Sequence, residues 1–281
     1  MRRRTTGAAL ARRWGRYLGL LLILVGILAP YLVMIITSLT PTAELAAAGA
    51  KLVPNSLTLE AYRELIGTTH FLEYLRNSLL VALMSVPITL ICATGAAIAL
   101  SRFEFLGRRQ LMTALIIAQM LPAVLLVLSL QQQLNTLGLL DMKVGLAMVH
   151  SAFATPFATW LLKGFLDGIP RELEESGAID GASTWQIIRL LILPLLLPGM
   201  VAAGTYAFIL TWNEFLYALT FTSSPATRTL PVGLQLFIGE YQIRWDLLTA
   251  GGVLSVLPVV AGFLLVQKRL VAGLAAGAVK G

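Results

Sequence analysis

Long uncharged apolar runs alternate with short polar stretches along the whole chain, at Tyr17–Ala43, Asn77–Ser101, Gln110–Leu140, Val144–Leu162, Leu190–Asn213 and Leu247–Gln267. Each is long enough for the roughly 20 residues an α-helix needs to cross hydrocarbon. The pattern therefore predicts an all-α membrane protein with six transmembrane helices and both termini on one side. It divides into a basic stretch at 1–16, a first span at 17–39, a polar segment at 40–76 and a core of five spans at 77–267. A short tail follows at 268–281.

One polar stretch inside the core has internal order. Between the fourth and fifth spans, residues 169–190 carry Pro170 and then Glu172, Glu174 and Glu175, acids suited to the positive end of a helix dipole. The spacing predicts a helix over Pro170 to Ser176, ended at Gly177, then a reversal at Ile179-Asp180-Gly181, where Asp and Gly tolerate the backbone angles a turn demands. Ser183 and Gln186 have capping-box spacing, so a second helix restarts there. The residues alone leave two readings open, a projecting docking element or a solvated loop between spans.

Composition agrees with the spans: 57% of residues are hydrophobic, 12% are charged, and the mean hydropathy is +0.81. Such values exclude an ordinary soluble globule. Positive charge then sets the expected orientation. The amino-terminal arginines, Arg102, Arg108, Arg109, Lys163, Arg171, Arg189, Lys268, Arg269 and Lys280 share one face, which leaves only Lys51, Arg63, Arg76, Lys143, Arg228 and Arg244 for the other. The first face is expected to be cytoplasmic, together with both termini, Glu175 and Asp180. The basic balance, pI near 9.9, is dispersed at span ends and gives no reason to expect a nucleic-acid partner. The run from Leu18 to Leu39 is longer than a signal-peptide core, so it is expected to stay as an uncleaved span kinked at Pro30. Cys92 is the one cysteine, expected to pack within a span, and no metal-ligand spacing is present.

Within the spans, Gln119, Gln131, Gln132, Gln133 and Asn135 of the third are expected to face a bundle or an aqueous path, because amides on a lipid face lack partners. His150 has no carboxylate at helical spacing and is expected to be a packing residue. Pro194 and Pro198 break the hydrogen-bond ladder of the fifth span. At that span's far end, Trp212, Asn213, Glu214 and Tyr217 combine aromatic faces with a carboxylate and an amide, which suits a sugar. The same residues also fit an interfacial aromatic belt with Glu214 paired to a neighbouring helix.

Several of these words resemble a known family. Glu175-Ser176-Gly177-Ala178-Ile179-Asp180-Gly181-Ala182, with Leu193-Pro194 beyond, resembles the EAA signature of ABC importer permeases, Ser176 and Gly177 standing where the family has alanines. Arg76-Asn77-Ser78-Leu79, the turn SRFEFLGRR at 101–109, GLLD at 138–141, Thr211–Leu219 and the tail from Gln267 to Gly281 resemble, in order, segments of carbohydrate importer permeases. The resemblance implies the type I ABC importer permease fold with a cytoplasmic coupling helix. It implies that Glu174, Glu175, Ser176, Gly177, Ala178, Asp180, Gly181 and Ala182 engage a separate ATPase. It further implies that Trp212, Asn213, Glu214 and Tyr217 border a sugar pathway and that Phe237, Gly239, Glu240, Tyr241 and Gln242 face an external solute-binding protein. The implied partners are a homologous permease, two ATPase subunits that carry ATP and Mg, that binding protein and the lipid bilayer of the cell inner membrane. The sequence has no Gly-x-x-x-x-Gly-Lys-Ser/Thr loop, so the chain is expected to be non-catalytic. A self-contained secondary transporter is the rival expectation, and it calls for paired charges at the midplane.

Overall fold

The structure, a computed structural model, describes residues 5–239 and 242–278. Its helices are α1 (Thr5–Ser38), α2 (Thr42–Ala48), α3 (Glu60–Thr68), α4 (Phe71–Arg102), α5 (Arg108–Ala118), α6 (Ala123–Thr136), α7 (Lys143–Asp167), α8 (Glu172–Ile179), α9 (Thr184–Ile187), α10 (Leu193–Asn213), α11 (Leu216–Phe221), α12 (Leu230–Gln235) and α13 (Trp245–Ala278). Among the described residues, five stretches are long and apolar enough to cross a membrane: Arg12–Ser38, Phe71–Arg102, Lys143–Asp167, Thr184–Asn213 and Trp245–Gln267.

The expected third span differs. It is two helices, α5 and α6, bent by 99° at Gln119–Pro122. Pro122 has no N–H to donate and biases Leu121 away from helical geometry, so the ladder stops there. Gln119 donates across the break to the Phe153 carbonyl at 2.6 Å, and Gln131 reaches the Thr220 carbonyl at 3.4 Å. Gln132, Gln133 and Asn135 are exposed on this chain rather than turned into its bundle.

The chain forms two compact units. The first comprises residues 1–71 and 234–257. Here Arg244 donates both terminal nitrogens to Glu64, at 3.0 and 2.7 Å, and also bonds Asp246, which accepts from Thr42 at 2.8 Å. Hydrogen bonds from the Arg244 guanidinium to Asp246 and then Glu64 push its pKa further up. Asp246 is almost wholly buried, which is tolerable only because every lone pair facing the interior has a donor.

The second unit comprises residues 72–233 and 258–281. One cluster of its core joins α4, α7, α9 and α10 through Ala93, Ala97, Ala158, Leu162, Ile187 and Ala203. Alanines at the crossings let backbones approach, the usual solution where lipid removes the hydrophobic drive for helix association. A second cluster joins α4, α6, α7, α11 and α12 through Val81, Leu134, Leu146, Tyr217, Phe221 and Val232. At that end the segment 222–229 is pinned from three sides. Asn77 donates to the carbonyls of Pro225 and Arg228, and Lys143 bridges Asn77 and Ala226. Asp141 accepts from Ser223, Ser224 and Thr227.

Burial works to raise the Asp141 carboxyl, and those hydrogen bonds outweigh it and hold the pKa at about 2, below the ordinary 3.8. A folded-state pKa below the unfolded one makes the anchor fully effective above about pH 4 and removes it as pH falls through about 2. Exchange of the Ser223 and Ser224 amide protons is accordingly expected to stay slow, once corrected for intrinsic rates, down to about pH 4 and to accelerate below it. Asp141→Ala is expected to show the fast rate at neutral pH.

Candidate functional site: the α8 to α11 segment

The polar stretch between the fourth and fifth spans is ordered by its own sequence. Helix α8 runs from Glu172 to Ile179 with Glu172, Glu174 and Glu175 in its first turn. It starts two residues after Pro170 and passes through Gly177. The expected stop at Gly177 is therefore corrected: termination falls at Gly181, whose φ of +83° supplies the left-handed residue. Gly181 N–H donates to the Ala178 carbonyl at 3.1 Å and Ala182 N–H to the Gly177 carbonyl at 3.0 Å. This pair of bonds is a Schellman closure. A Cβ at Gly177 would sit 3.0 Å from Leu191 Cδ1 and 3.4 Å from Ile187 Cγ1, so a glycine where the family has alanine lets α8 lie close against the start of the next span.

That next helix opens with the expected capping box, Ser183 N–H to Gln186 Oε1 at 2.7 Å and Gln186 N–H to Ser183 Oγ at 3.4 Å. It merges into the fifth span through a π turn at Ile188–Ile192. Pro194 lacks an amide proton and its ring crowds the Leu190 carbonyl, and a wider turn relieves both problems without ending the helix.

The segment presents a mixed surface. Glu175, Ser176, Ala178, Asp180 and Gly181 are exposed, and Ala182 is half-buried. Beside them Ile179 is 86% exposed and Trp185 66%. Isoleucine and tryptophan standing out of a short acidic turn form an apolar contact face with a charged rim. Glu174 points the other way. Its carboxylate lies 2.6 Å from Arg102 at the end of α4.

At the far end of α10 the chain leaves helical geometry for Glu214 and Phe215 before α11. Glu214 accepts the amide protons of Tyr217 at 2.8 Å and Ala218 at 3.0 Å, which satisfies donors left open at the start of α11. Its second oxygen lies 3.1 Å from His150 Nε2. The expectation of an unpaired histidine is thus overturned: its carboxylate comes from 64 residues away, beyond the reach of any helical periodicity. His150 is 1% exposed, and its Nδ1 has no hydrogen-bond partner among the described residues. Ser85, Ser151 and Thr211 add a buried hydroxyl cluster linking α4, α7 and α10.

Tyr217 is buried, stacked against Phe153 and Phe221, with its hydroxyl donating to the Ala123 carbonyl at 3.2 Å. Trp212 is buried and stacks on Phe208. Asn213 is exposed and donates to the Ile209 carbonyl of its own helix at 2.9 Å. The structure therefore joins Glu214 and Tyr217 and separates Asn213 from both. In the 237–244 segment Phe237 is half-buried while Gly239 and Gln242 are exposed, and Ile238 bridges Ile243. Glu240 and Tyr241 lie outside the described residues, as do Val279, Lys280 and Gly281 of the tail.

Residues 85–275, from the middle of α4 into α13, match the family described as the binding-protein-dependent transport system inner membrane component. The chain belongs to that family. This inner-membrane permease is 35% identical over 266 residues to the sulfoquinovosyl glycerol transport system permease protein SmoH of Agrobacterium fabrum, covering 95% of this chain and 93% of that one. It is 35% identical to the trehalose/maltose transport system permease protein MalG of Thermococcus litoralis, with 94% and 95% covered. The permease also shares its fold with a chain from the crystal structure of a bacterial ABC transporter that imports the acidic polysaccharide alginate. That match has a TM-score of 0.78 at 22% identity and covers 92% of this chain and 96% of that chain.

Proposed function

We propose that this permease forms half of the translocation path of an ABC importer for a di- or oligosaccharide, fed by an external solute-binding protein and driven by two separate ATPase subunits. Family membership carries the transport part. The sugar part draws on the relatives, whose names specify sulfoquinovosyl glycerol and trehalose or maltose, and on an alginate transporter whose structure includes a periplasmic protein bound to alginate pentasaccharide.

The single structural observation that supports the coupling role is the exposed face of α8, its turn and the start of α9, where Ile179 and Trp185 stand exposed along with Glu175 and Asp180. It faces the cytoplasm, the side on which the positive charges gather, and both termini share that side. ATP and Mg belong to the ATPase partners, and this chain moves rather than catalyses. A second, homologous permease completes the path. Uptake of radiolabelled trehalose and maltose into proteoliposomes holding both permeases, the ATPases and the binding protein tests this. Accumulation is expected only with internal ATP and the ATPase subunits, and uptake that persists without either contradicts the proposal.

A further inference from the structure

The carboxyl end of α4 is tied to α8 by a set of contacts that span formation alone does not require. Arg102, the last residue of α4, points its guanidinium sideways. Nε lies 2.6 Å from Glu174 Oε1, Nη2 donates to the Ile169 carbonyl at 3.2 Å, and Nη1 donates to Ser101 Oγ at 3.1 Å. Ser101 Oγ in turn donates to Asp167 Oδ1 at 2.6 Å, and Arg171 Nη2 donates to the Ser101 carbonyl at 3.0 Å. The side chains of Arg102 and Glu174 are only 8% and 20% exposed, so water screens their charges weakly. Arg102 Nε and Glu174 Oε1 meet as a close ion pair without a hydrogen bond, and the hydrogen bonds that fix the guanidinium are those from Nη1 and Nη2. By chain connectivity α8 is attached to α7 through residues 168–171 and to α9 through 180–183. It is not adjacent in sequence to α4 at all.

We infer that Arg102 and Glu174 are positioning residues that make α4 move with α8, so that displacement of the ATPase-docking element is delivered directly to the second span as well as to the fourth and fifth. This rests on the docking role proposed for α8. The α4 helix is a useful receiver: beyond Arg102 it contributes Ala93, Ala97 and Ile98 to one core cluster and Val81 to the other. A pull at its end therefore reaches both clusters of the second unit.

The test uses the full complex with its ATPase subunits. The native Cys92 on α4, which is exposed, and Glu172→Cys at the start of α8 are spin-labelled, and their separation is measured without nucleotide and with ATP trapped. With Arg102 and Glu174 intact, the distance is expected to change by less than about 2 Å, the scale of helix shifts at switching interfaces. In Arg102→Gln and in Glu174→Gln it is expected to change by more than that on ATP binding, with ATPase retention and basal hydrolysis in Arg102→Gln within about twofold of the parent. The exchanged pair Arg102→Glu with Glu174→Arg is expected to recover most of the linkage, which a loss of folding would not do. Should Arg102→Gln misfold, Glu174→Gln poses the same question from the other partner. Variants whose labels stay as closely linked as the parent's overturn the clamp and leave docking intact. A parent chain that retains no ATPase overturns both.

Discussion

Gly181→Val is expected to reduce ATP-driven uptake by at least about tenfold while leaving the spans inserted. Gly181 sits at φ +83°, where a β-branched side chain is strained by about 1–3 kcal/mol. The turn escapes by rearranging, and the two bonds that close α8, to the Ala178 and Gly177 carbonyls, are lost together. Because α8 is held at its other end by Arg102, such a rearrangement swings Ile179 and Asp180 out of the position in which they are proposed to meet the ATPase. Gly181→Asn is the informative companion, since asparagine tolerates the left-handed region, and it is expected to keep most of the activity. Uptake and ATPase co-purification measured side by side check the pair. Valine behaving like glycine would remove the turn from the coupling path.

Glu214→Ala is the second large effect. It deletes the acceptor for two amide protons and for His150 at once, leaving a buried imidazole with neither nitrogen engaged. Leaving such buried polar groups unsatisfied costs about 1–3 kcal/mol, so a lower unfolding temperature in detergent is expected, together with impaired uptake. His150→Leu is expected to be milder, because Glu214 keeps its two backbone donors. The double variant is expected to be less damaged than the sum of the singles by at least about 1 kcal/mol, the signature of direct interaction. Additive effects in that cycle would mean the two groups do not interact.

Those two sites show what the sequence could and could not disclose. The span positions, the capping box at Ser183 and the reversal at Asp180-Gly181 were legible because each depends on residues within a few positions of one another. The end of α8 was misplaced at Gly177 because two glycines compete there, and only packing against Ile187 and Leu191 shows which one is needed inside the helix. Pro122 lies inside the run read as one continuous third span, and the 99° bend there is accompanied by Gln119 and Gln131 finding carbonyls on other helices. The pairs His150 with Glu214 and Arg102 with Glu174 join positions more than 60 residues apart, where periodicity carries no information. For the segment from Trp212 to Tyr217 the sequence left two readings open, a sugar pathway or an aromatic belt with Glu214 paired to another helix, and the side-chain contacts lie beyond local spacing. Its aromatics pack inside this chain, and its carboxylate caps α11.

The measurement that bears most directly on the account is photocrosslinking from position 179, the 86% exposed tip of α8, in the assembled transporter in native membranes. Capture of the ATPase subunit is expected, with a yield that changes when ATP is bound. Capture of the external solute-binding protein from that position, or of no ATPase in either nucleotide state, would contradict it.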